Sequence, residues 1–263
     1  MDTIPKITDE QRSDDMYDRQ ARMDSKPKAK LDRSTRRIYK TQKGLKVPGV
    51  TTVLNILNKP ALLDWSAKEE RKGVMDCLLN KKIMPDKYFY TMIRDTSASI
   101  GTICHFMCEC FLKGEEPDLS EFLPEEVEKA KNGFRKFVEY WNQSGFKILH
   151  NELALVDDEF EYGGSLDIVC TDKDGNIILL DLKTSKALYS EYWVQISAYR
   201  ELYNNQNEKK ITRCIIVRIG KEEVGDMEFQ ENNALDNYFD LFLGALACHK
   251  SQKAIRKEER NEE

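Results

Sequence analysis

Asp181-Leu182-Lys183 sets a carboxylate and an amine two residues apart at the end of a run, Ile177-Ile178-Leu179-Leu180, that is otherwise aliphatic. In an extended strand residues two apart share a face, so Asp181 and Lys183 point together while Leu180 and Leu182 pack on the other side. A buried charge is costly unless it is paired or holds a metal ion. A second acid, Asp167, closes Gly163-Gly164-Ser165-Leu166-Asp167 in the strand expected over 162–171. If the two strands pair, Asp167 lies near Asp181, and two carboxylates converging at a strand end make a hard-oxygen site suited to Mg²⁺. The Leu182 carbonyl adds a third oxygen. Lys183 then stands beside the metal, able to position or deprotonate an attacking water, an arrangement that suits phosphodiester hydrolysis. The motif D-x-K on its own has a plainer reading, a buried Asp181–Lys183 salt bridge at a strand end. A spacing that short often arises by chance, so for this motif alone the salt bridge is the better reading.

The elements that must position these groups follow from hydrophobic period and punctuation. One helix is expected over Trp65 to Leu79 and a second over Ser97 to Leu112, apolar nearly all round and therefore buried. A third opens at Pro124, with Glu125 and Glu126 complementing the helix dipole and Val127, Ala130, Phe134, Phe137, Val138 and Trp141 forming one apolar stripe. After Gly145 the period changes to strands over 148–156, 162–171 and 177–183, the last two joined by a turn at Asp172-Lys173-Asp174-Gly175-Asn176. A helix over Ser190 to Asn204, a buried strand over Ile211 to Ile219, an edge strand over Glu222 to Gln230 and a final helix through Leu235, Phe239, Phe242 and Leu246 complete the pattern. Upstream, Lys43-Gly44 suggests a small hairpin, and Thr51 or Thr52 is expected to cap a short helix through Leu57. The order helix, three strands, helix, strand predicts an α/β layered domain.

Composition bounds the rest. The chain has 263 residues, 40% hydrophobic and 33% charged, with net charge −5. That length supports a substantial core, and the excess charge is placed in polar tails or a solvated surface. No apolar run is long enough to span a bilayer, and the first residues lack a signal-peptide layout. Seven scattered cysteines are not a disulfide framework, so the expectation is a cytoplasmic, thiol-reduced protein. The domain expectation is a polar and basic arm over 1–36, disordered, a single domain over 37–249 and a charged, frayed tail over 250–263. Between Lys26 and Lys46 nine basic residues, Arg36, Arg37 and Lys40 among them, face one acid, Asp32. Such a run either tracks a phosphate backbone or is a solvated arm.

Four motifs occur in order: Gly101-Thr102-Ile103-Cys104-His105 through Glu109 (G-T-x-x-H-x-x-x-E), Gly164 to Asp167 (G-x-x-D), Asp181 to Lys183 (D-x-K) and Gln195 to Tyr199 (Q-x-x-x-Y). This ordered set resembles the RecB-type exonuclease branch of the PD-(D/E)XK nuclease superfamily, and is most similar to stand-alone phage exonucleases and the mitochondrial genome maintenance exonuclease. Val47-Pro48-Gly49-Val50-Thr51-Thr52-Val53-Leu54 and Lys59-Pro60-Ala61-Leu62 also look like the N-terminal region of the phage proteins. The resemblance covers about Arg37 to Ile219. It implies a restriction-endonuclease-like core with a helical N-terminal elaboration, and a DNA exonuclease dependent on Mg²⁺ or Mn²⁺, with one or two ions. It further implies His105, Asp167 and Asp181 as metal ligands, Lys183 as the catalytic lysine, and Gln195 and Tyr199 in support of the site or the DNA.

The spacing is compatible with that transfer, because His105 and Glu109, and likewise Gln195 and Tyr199, are four apart and share a helical face. Glu109 reads as a residue that orients His105. Glu152, alone in an apolar strand, reads either as a further carboxylate of the site or as an exposed-face residue. Lys186 and the basic arm are the candidate phosphate contacts. Tyr189, Tyr192 and Trp193 are candidates for base stacking, with ordinary helix packing the preferred reading of Trp193. One subgroup of the family carries an iron–sulfur cluster, but only Cys214 and Cys248 follow Tyr199 and they lie far apart, so no cluster is expected. Cys104, Cys108 and Cys110 read as small core residues. No phosphate-binding loop for ATP is present. Expected partners are DNA, single-stranded or as duplex ends, and a replication or recombination protein, with no membrane contact. The alternatives are a structure-selective endonuclease of the same fold and a catalytically silent binding module.

Overall fold

Runs of aliphatic and β-branched residues form strands covered on both faces at the centre of the molecule. The computed structural model describes residues 28–31, 37–57, 59–220 and 227–262. Short strands β1 (Lys28–Ala29), β2 (Tyr39–Lys40) and β3 (Lys46–Val47) and the short helix α1 (Val50–Leu54) precede two long helices, α2 (Pro60–Leu79) and α3 (Phe89–Lys113). Strand β4 (Glu116–Pro117) and helix α4 (Pro124–Ser144) follow. Strands β5 (Lys147–Asp157), β6 (Tyr162–Thr171) and β7 (Ile177–Lys183), helix α5 (Ser190–Asn204), strands β8 (Ile211–Ile219) and β9 (Met227–Glu231) and helix α6 (Asp236–Glu262) complete a mixed α/β fold.

Among the described residues, β5 to β9 form one sheet in sequence order. The pairs β5–β6, β6–β7 and β8–β9 are antiparallel, and β7–β8 is parallel with α5 as the crossover between them. One face packs on α3 and α4, where Ile103, Met107 and Phe137 meet Ile178, Leu180 and Leu182. The other packs on α1, α5 and α6, where Val53, Ile196, Leu202 and Phe242 meet Leu166, Val169 and Leu179. Strand β7 therefore sends alternate side chains into two cores. Each fully buried Ile or Leu in it contributes roughly 1.5–3 kcal/mol. That margin lets the strand carry an acid at its end.

Several boundaries differ from expectation. Helix α2 begins at Pro60, which occupies the first helical turn, rather than at Trp65. Helix α3 begins at Phe89 rather than Ser97 and ends on Gly114 in the left-handed conformation. Neither Thr51 nor Thr52 caps α1; its N-cap is Gly49, without a side-chain bond. The tail from Lys250 is not frayed but continues α6 to Glu262, and Lys250 anchors it by donating to the Phe160 carbonyl at 3.0 Å and to Glu161 at 2.8 Å. Strand β9 starts at Met227, and the residues before it that were expected to be extended, from Glu222, lie outside the described residues. The hairpin at Lys43-Gly44 is present, Gly44 adopting φ 80°. Of the arm assigned to 1–36, Lys28–Ala29 pairs in parallel with Glu116–Pro117; residues 1–27 and 32–36 lie outside the described residues. Among the described residues no helix is long and apolar enough to cross a membrane, and all seven cysteines are free, six of them buried.

Candidate functional site

The β6–β7 ladder runs from Thr171↔Ile177 to Ile168↔Leu180 and stops. The next pair in register is Asp167 with Asp181. Where main-chain pairing ends, the Leu182 N–H donates instead to Asp167 Oδ2 at 3.0 Å, a side chain taking the place of the lost ladder bond. Asp181 is fully buried and forms an ion pair with Lys183. Among the described residues neither Asp181 oxygen has a hydrogen bond of good geometry, so the contact with Lys183 is ionic rather than directional. The Lys183 ammonium also lies over the Tyr192 ring, 5.2 Å from its centroid.

Helix α3 is buried from Ile100 to Cys110 except along one line, where Thr102 is exposed and His105 and Glu109 are half-buried. The expectation of an all-round apolar helix is corrected by this line, which faces the strand ends. His105 Nδ1 stands 3.8 Å from Asp167 Oδ2, beyond hydrogen-bonding distance. Glu109 pairs with Lys113 one turn on, and its backbone carbonyl accepts the Asn151 side-chain amide at 3.0 Å, tying α3 to β5. A small pocket of about 10 Å³, the room of a single water-sized particle, is lined by His105, Glu109, Glu152, Asp167 and Leu182 among others. It shares His105, Glu109 and Glu152 with a cleft of about 450 Å³ lined also by Arg37, Gly101, Thr102 and Thr184.

Glu152 falls between the pairs Asn151↔Ile168 and Leu153↔Leu166, which places it opposite Asp167. Its φ of 57° is left-handed, a costly state for a residue with a side chain and one found most often at functional sites. Its carboxylate accepts from Arg37 Nη2 at 2.6 Å and more weakly from Ser165 Oγ at 3.4 Å. Of its two sequence readings, the structure places it facing the cavity. Nothing in the sequence signalled the left-handed backbone. The Arg37–Glu152 pair was equally invisible, because its partners are 115 residues apart.

Behind the acids, Gln195 donates to the Tyr199 hydroxyl at 2.9 Å. Tyr199 is buried against Gly164, where a Cβ would collide with its ring, and Tyr39 occupies the corresponding space over Gly163. The Gly-Gly pair thus admits an aromatic ring at each residue.

Burial pushes the Asp167 carboxyl up to about 6, the Lys183 charge opposing and Glu152 reinforcing the shift. Burial likewise pushes Asp181 up to about 6, against the pull of Lys183 and with a push from Asp167. For Lys183, burial favours the neutral amine, but the two carboxylates outweigh it and hold the group above the ordinary lysine value. Burial, with the Asp181 charge added, holds the Tyr199 phenol well above its usual range. Two carboxylates, one fully and one partly buried, therefore act on one ammonium.

The candidate metal ligands are brought to one locality but not into a closed shell. Among the described residues no three His, Cys, Asp or Glu side chains are grouped so as to hold a metal ion as they stand. The donor set nevertheless fits a hard divalent cation in kind, being carboxylates and an imidazole, and Asp181 keeps a buried oxygen without a hydrogen-bond partner. Leu182 lines the small cavity. The remaining candidates scatter. Arg36 lies outside the described residues. Lys40, exposed on the hairpin opposite Lys46, and Lys186 line neither cavity. Tyr189 is 41% exposed, whereas Trp193 is a core residue, as its packing reading anticipated. Cys104, Cys108 and Cys110 are buried.

No family model and no curated protein sequence matches the chain. Solved structures similar to it include a protein from Eubacterium rectale provisionally named an exonuclease (13% identity, 67% of this chain and 70% of that one, TM-score 0.39). They also include an alkaline exonuclease from Laribacter hongkongensis (14% identity, 68% and 89%, TM-score 0.36) and the same enzyme in complex with dAMP (14% identity, 61% and 84%, TM-score 0.36). Likenesses this remote leave the chemistry of this chain to be read from its own residues.

Proposed function

We propose that this chain is a metal-dependent exonuclease that hydrolyses DNA phosphodiesters from a strand end, on a restriction-endonuclease-like core. The observation that carries the reading is the surplus of buried negative charge where β6 and β7 part. Asp181 is fully buried there and Asp167 partly buried, with the Lys183 ammonium paired to Asp181. A buried carboxylate without a compensating charge is unstable, and a divalent cation is the compensation that its hard oxygens select. Asp167, Asp181, His105 and the Leu182 carbonyl are the groups that would hold one or two Mg²⁺ or Mn²⁺ ions. When bound, such an ion supplies Lewis-acid stabilisation of the charge that develops on phosphoryl oxygens.

The chain's own residues do the rest. The cleft over α3 receives the strand, and Gly101 and Thr102 let its backbone approach closely. Arg37, at the cleft wall, exchanges Glu152 for a substrate phosphate, a pairing its planar fork suits. Lys183 donates from its ammonium to the attacking water and the scissile phosphate, fixing the line of attack. The water oxygen bonds to phosphorus as the ester P–O bond breaks. The water's proton passes to solvent and the leaving oxygen takes one up, so one product ends in phosphate and the other in hydroxyl. Gln195 and Tyr199 keep the floor beneath Asp181 closed to water. Glu109 braces α3 through Asn151. Tyr189 offers an exposed ring for an unpaired base.

The test is digestion of end-labelled single- and double-stranded DNA, with a covalently closed circle as control, in Mg²⁺ and in chelator. The expected result is progressive release from an end in Mg²⁺ alone, with the circle intact. A cut circle would convert the reading to an endonuclease, and inert substrates in every condition would remove it.

A further inference from the structure

We infer that Tyr192 is a positioning residue for Lys183, its ring face serving as the fixed seat of the ammonium during catalysis; this rests on the nuclease reading above. Lys183 is the last residue of β7, where the chain leaves the sheet, and a lysine stem has several freely rotating bonds. Its ammonium pairs with the Asp181 carboxylate, feels the charge of Asp167, and lies 5.2 Å from the Tyr192 ring centroid, within the range of a cation–π contact. Asp181 is also a residue assigned to the cation, so whatever share of its charge goes to that ion is withdrawn from Lys183. The ring makes no such exchange.

The ring itself is held. Tyr192 lies in the first turn of α5, half-buried against the main core. Tyr189 packs edge-on to it, with ring centroids 5.6 Å apart. A ring so braced sets the direction of the amine. It also divides the two tyrosines: Tyr189 remains open to a base, while the face of Tyr192 is taken by Lys183 and is not a stacking platform.

The full-length chain is assayed with Mg²⁺ on an end-labelled single-stranded oligodeoxynucleotide, and variants are compared at matched thermal midpoint. Tyr192→Leu, which keeps bulk and loses the ring, is expected to lower kcat by roughly 3- to 30-fold with KM for DNA little changed. Tyr192→Phe, which keeps the ring and loses the hydroxyl, is expected to retain most of the turnover. Replacement by phenylalanines of increasing fluorination, which keep shape while draining the ring's negative face, should lower kcat stepwise. A ring that merely fills the core would show no such gradation. An active wild type whose fluorinated series is flat, or whose Tyr192→Leu variant turns over equally, overturns the assignment alone. A wild type without hydrolysis overturns the underlying reading and the assignment with it.

Discussion

In chelator, the stability of this protein should fall as pH rises through the range in which Asp181 and Asp167 ionise, and Asp181→Asn should remove much of that fall. The Asp181 carboxyl is raised from an ordinary 3.8 to about 6, chiefly by burial. A folded-state value above the unfolded one means that the folded protein binds the proton more tightly. The resulting stability is complete below pH 4, declines between pH 4 and 6 and is gone above it. A shift of that size corresponds to about 3 kcal/mol, with Asp167 titrating as part of the same pair. Depressed acids act in the opposite direction: Asp172, held near 2 first by its bond from Asn176 and then by Arg213, favours the folded state as pH rises. The informative quantity is therefore the difference between wild type and Asp181→Asn. Denaturant unfolding followed by fluorescence of the three tryptophans at pH 4.0, 5.5 and 7.5 measures it. At pH 7.5, Mg²⁺ at roughly 100 times its dissociation constant should restore about 2.7 kcal/mol to the wild type and far less to the variant. Identical pH dependence of the two proteins in chelator would show that Asp181 carries no strained charge, and the reasoning that leads to a cation would fall with it.

Lys183→Met should abolish cleavage and, by leaving its acids unpaired, cost about 3–5 kcal/mol in chelator; activity and unfolding on one preparation check both, and retained turnover would refute the lysine's role. Gly164→Ala should destabilise by roughly 1–3 kcal/mol because its Cβ meets the Tyr199 ring, and an unchanged melting temperature would contradict that packing. At Glu152 strand preference should invert: Val, good in ordinary strands, should cost about 1–2 kcal/mol at a left-handed φ, whereas Asn should fold nearly as well as the wild type. Arg37→Ala should weaken DNA binding and reduce the slope of log affinity against log salt by about 1, and an unchanged slope would exclude a phosphate contact.

The elements that carry apolar periodicity were legible in the sequence. Strands over 162–171, 177–183 and 211–219 and the helix over 190–204 have the expected limits because their apolar periodicity is bounded by turn and polar residues. Boundaries set by other forces were not. Helix α6 runs through a charged tail because Lys250 is tied to the loop at Phe160 and Glu161, a contact between distant segments that no local pattern announces. The polar line on α3 was masked by its neighbours: Cys104, Phe106, Met107 and Cys108 gave the helix an apolar average, within which Thr102, His105 and Glu109 recur at steps of three and four. At the site, residue type and period 2 sufficed to join Asp167, Asp181 and Lys183. The left-handed turn at Glu152 and its bond to Arg37 depend on how the segment at Arg37 meets β5, and spacing does not encode that.

Of the two sequence readings of D-x-K, the salt bridge does not exclude the proposed cation site. The salt bridge is present: Lys183 is paired with Asp181. It is incomplete as an explanation of the locality, because a strand that needed only to bury an Asp–Lys pair has no use for a second, partly buried acid at the same end. Asp167 is that acid. Its position follows from the premature end of the β6–β7 ladder, where its carboxylate takes the Leu182 N–H and binds the two strand ends together. A single N–H does not compensate a buried negative charge, and burial raises both acids in spite of Lys183. His105, 3.8 Å from Asp167, brings a neutral or cationic group from a different helix to the same point. Packing alone would favour an aliphatic residue at each of these positions, at a gain of about 1–4 kcal/mol over the ionic set. Sites that forgo stability of that order in a clustered way are where function is expected, and the charge left over is the reason the proposed reading calls for a cation.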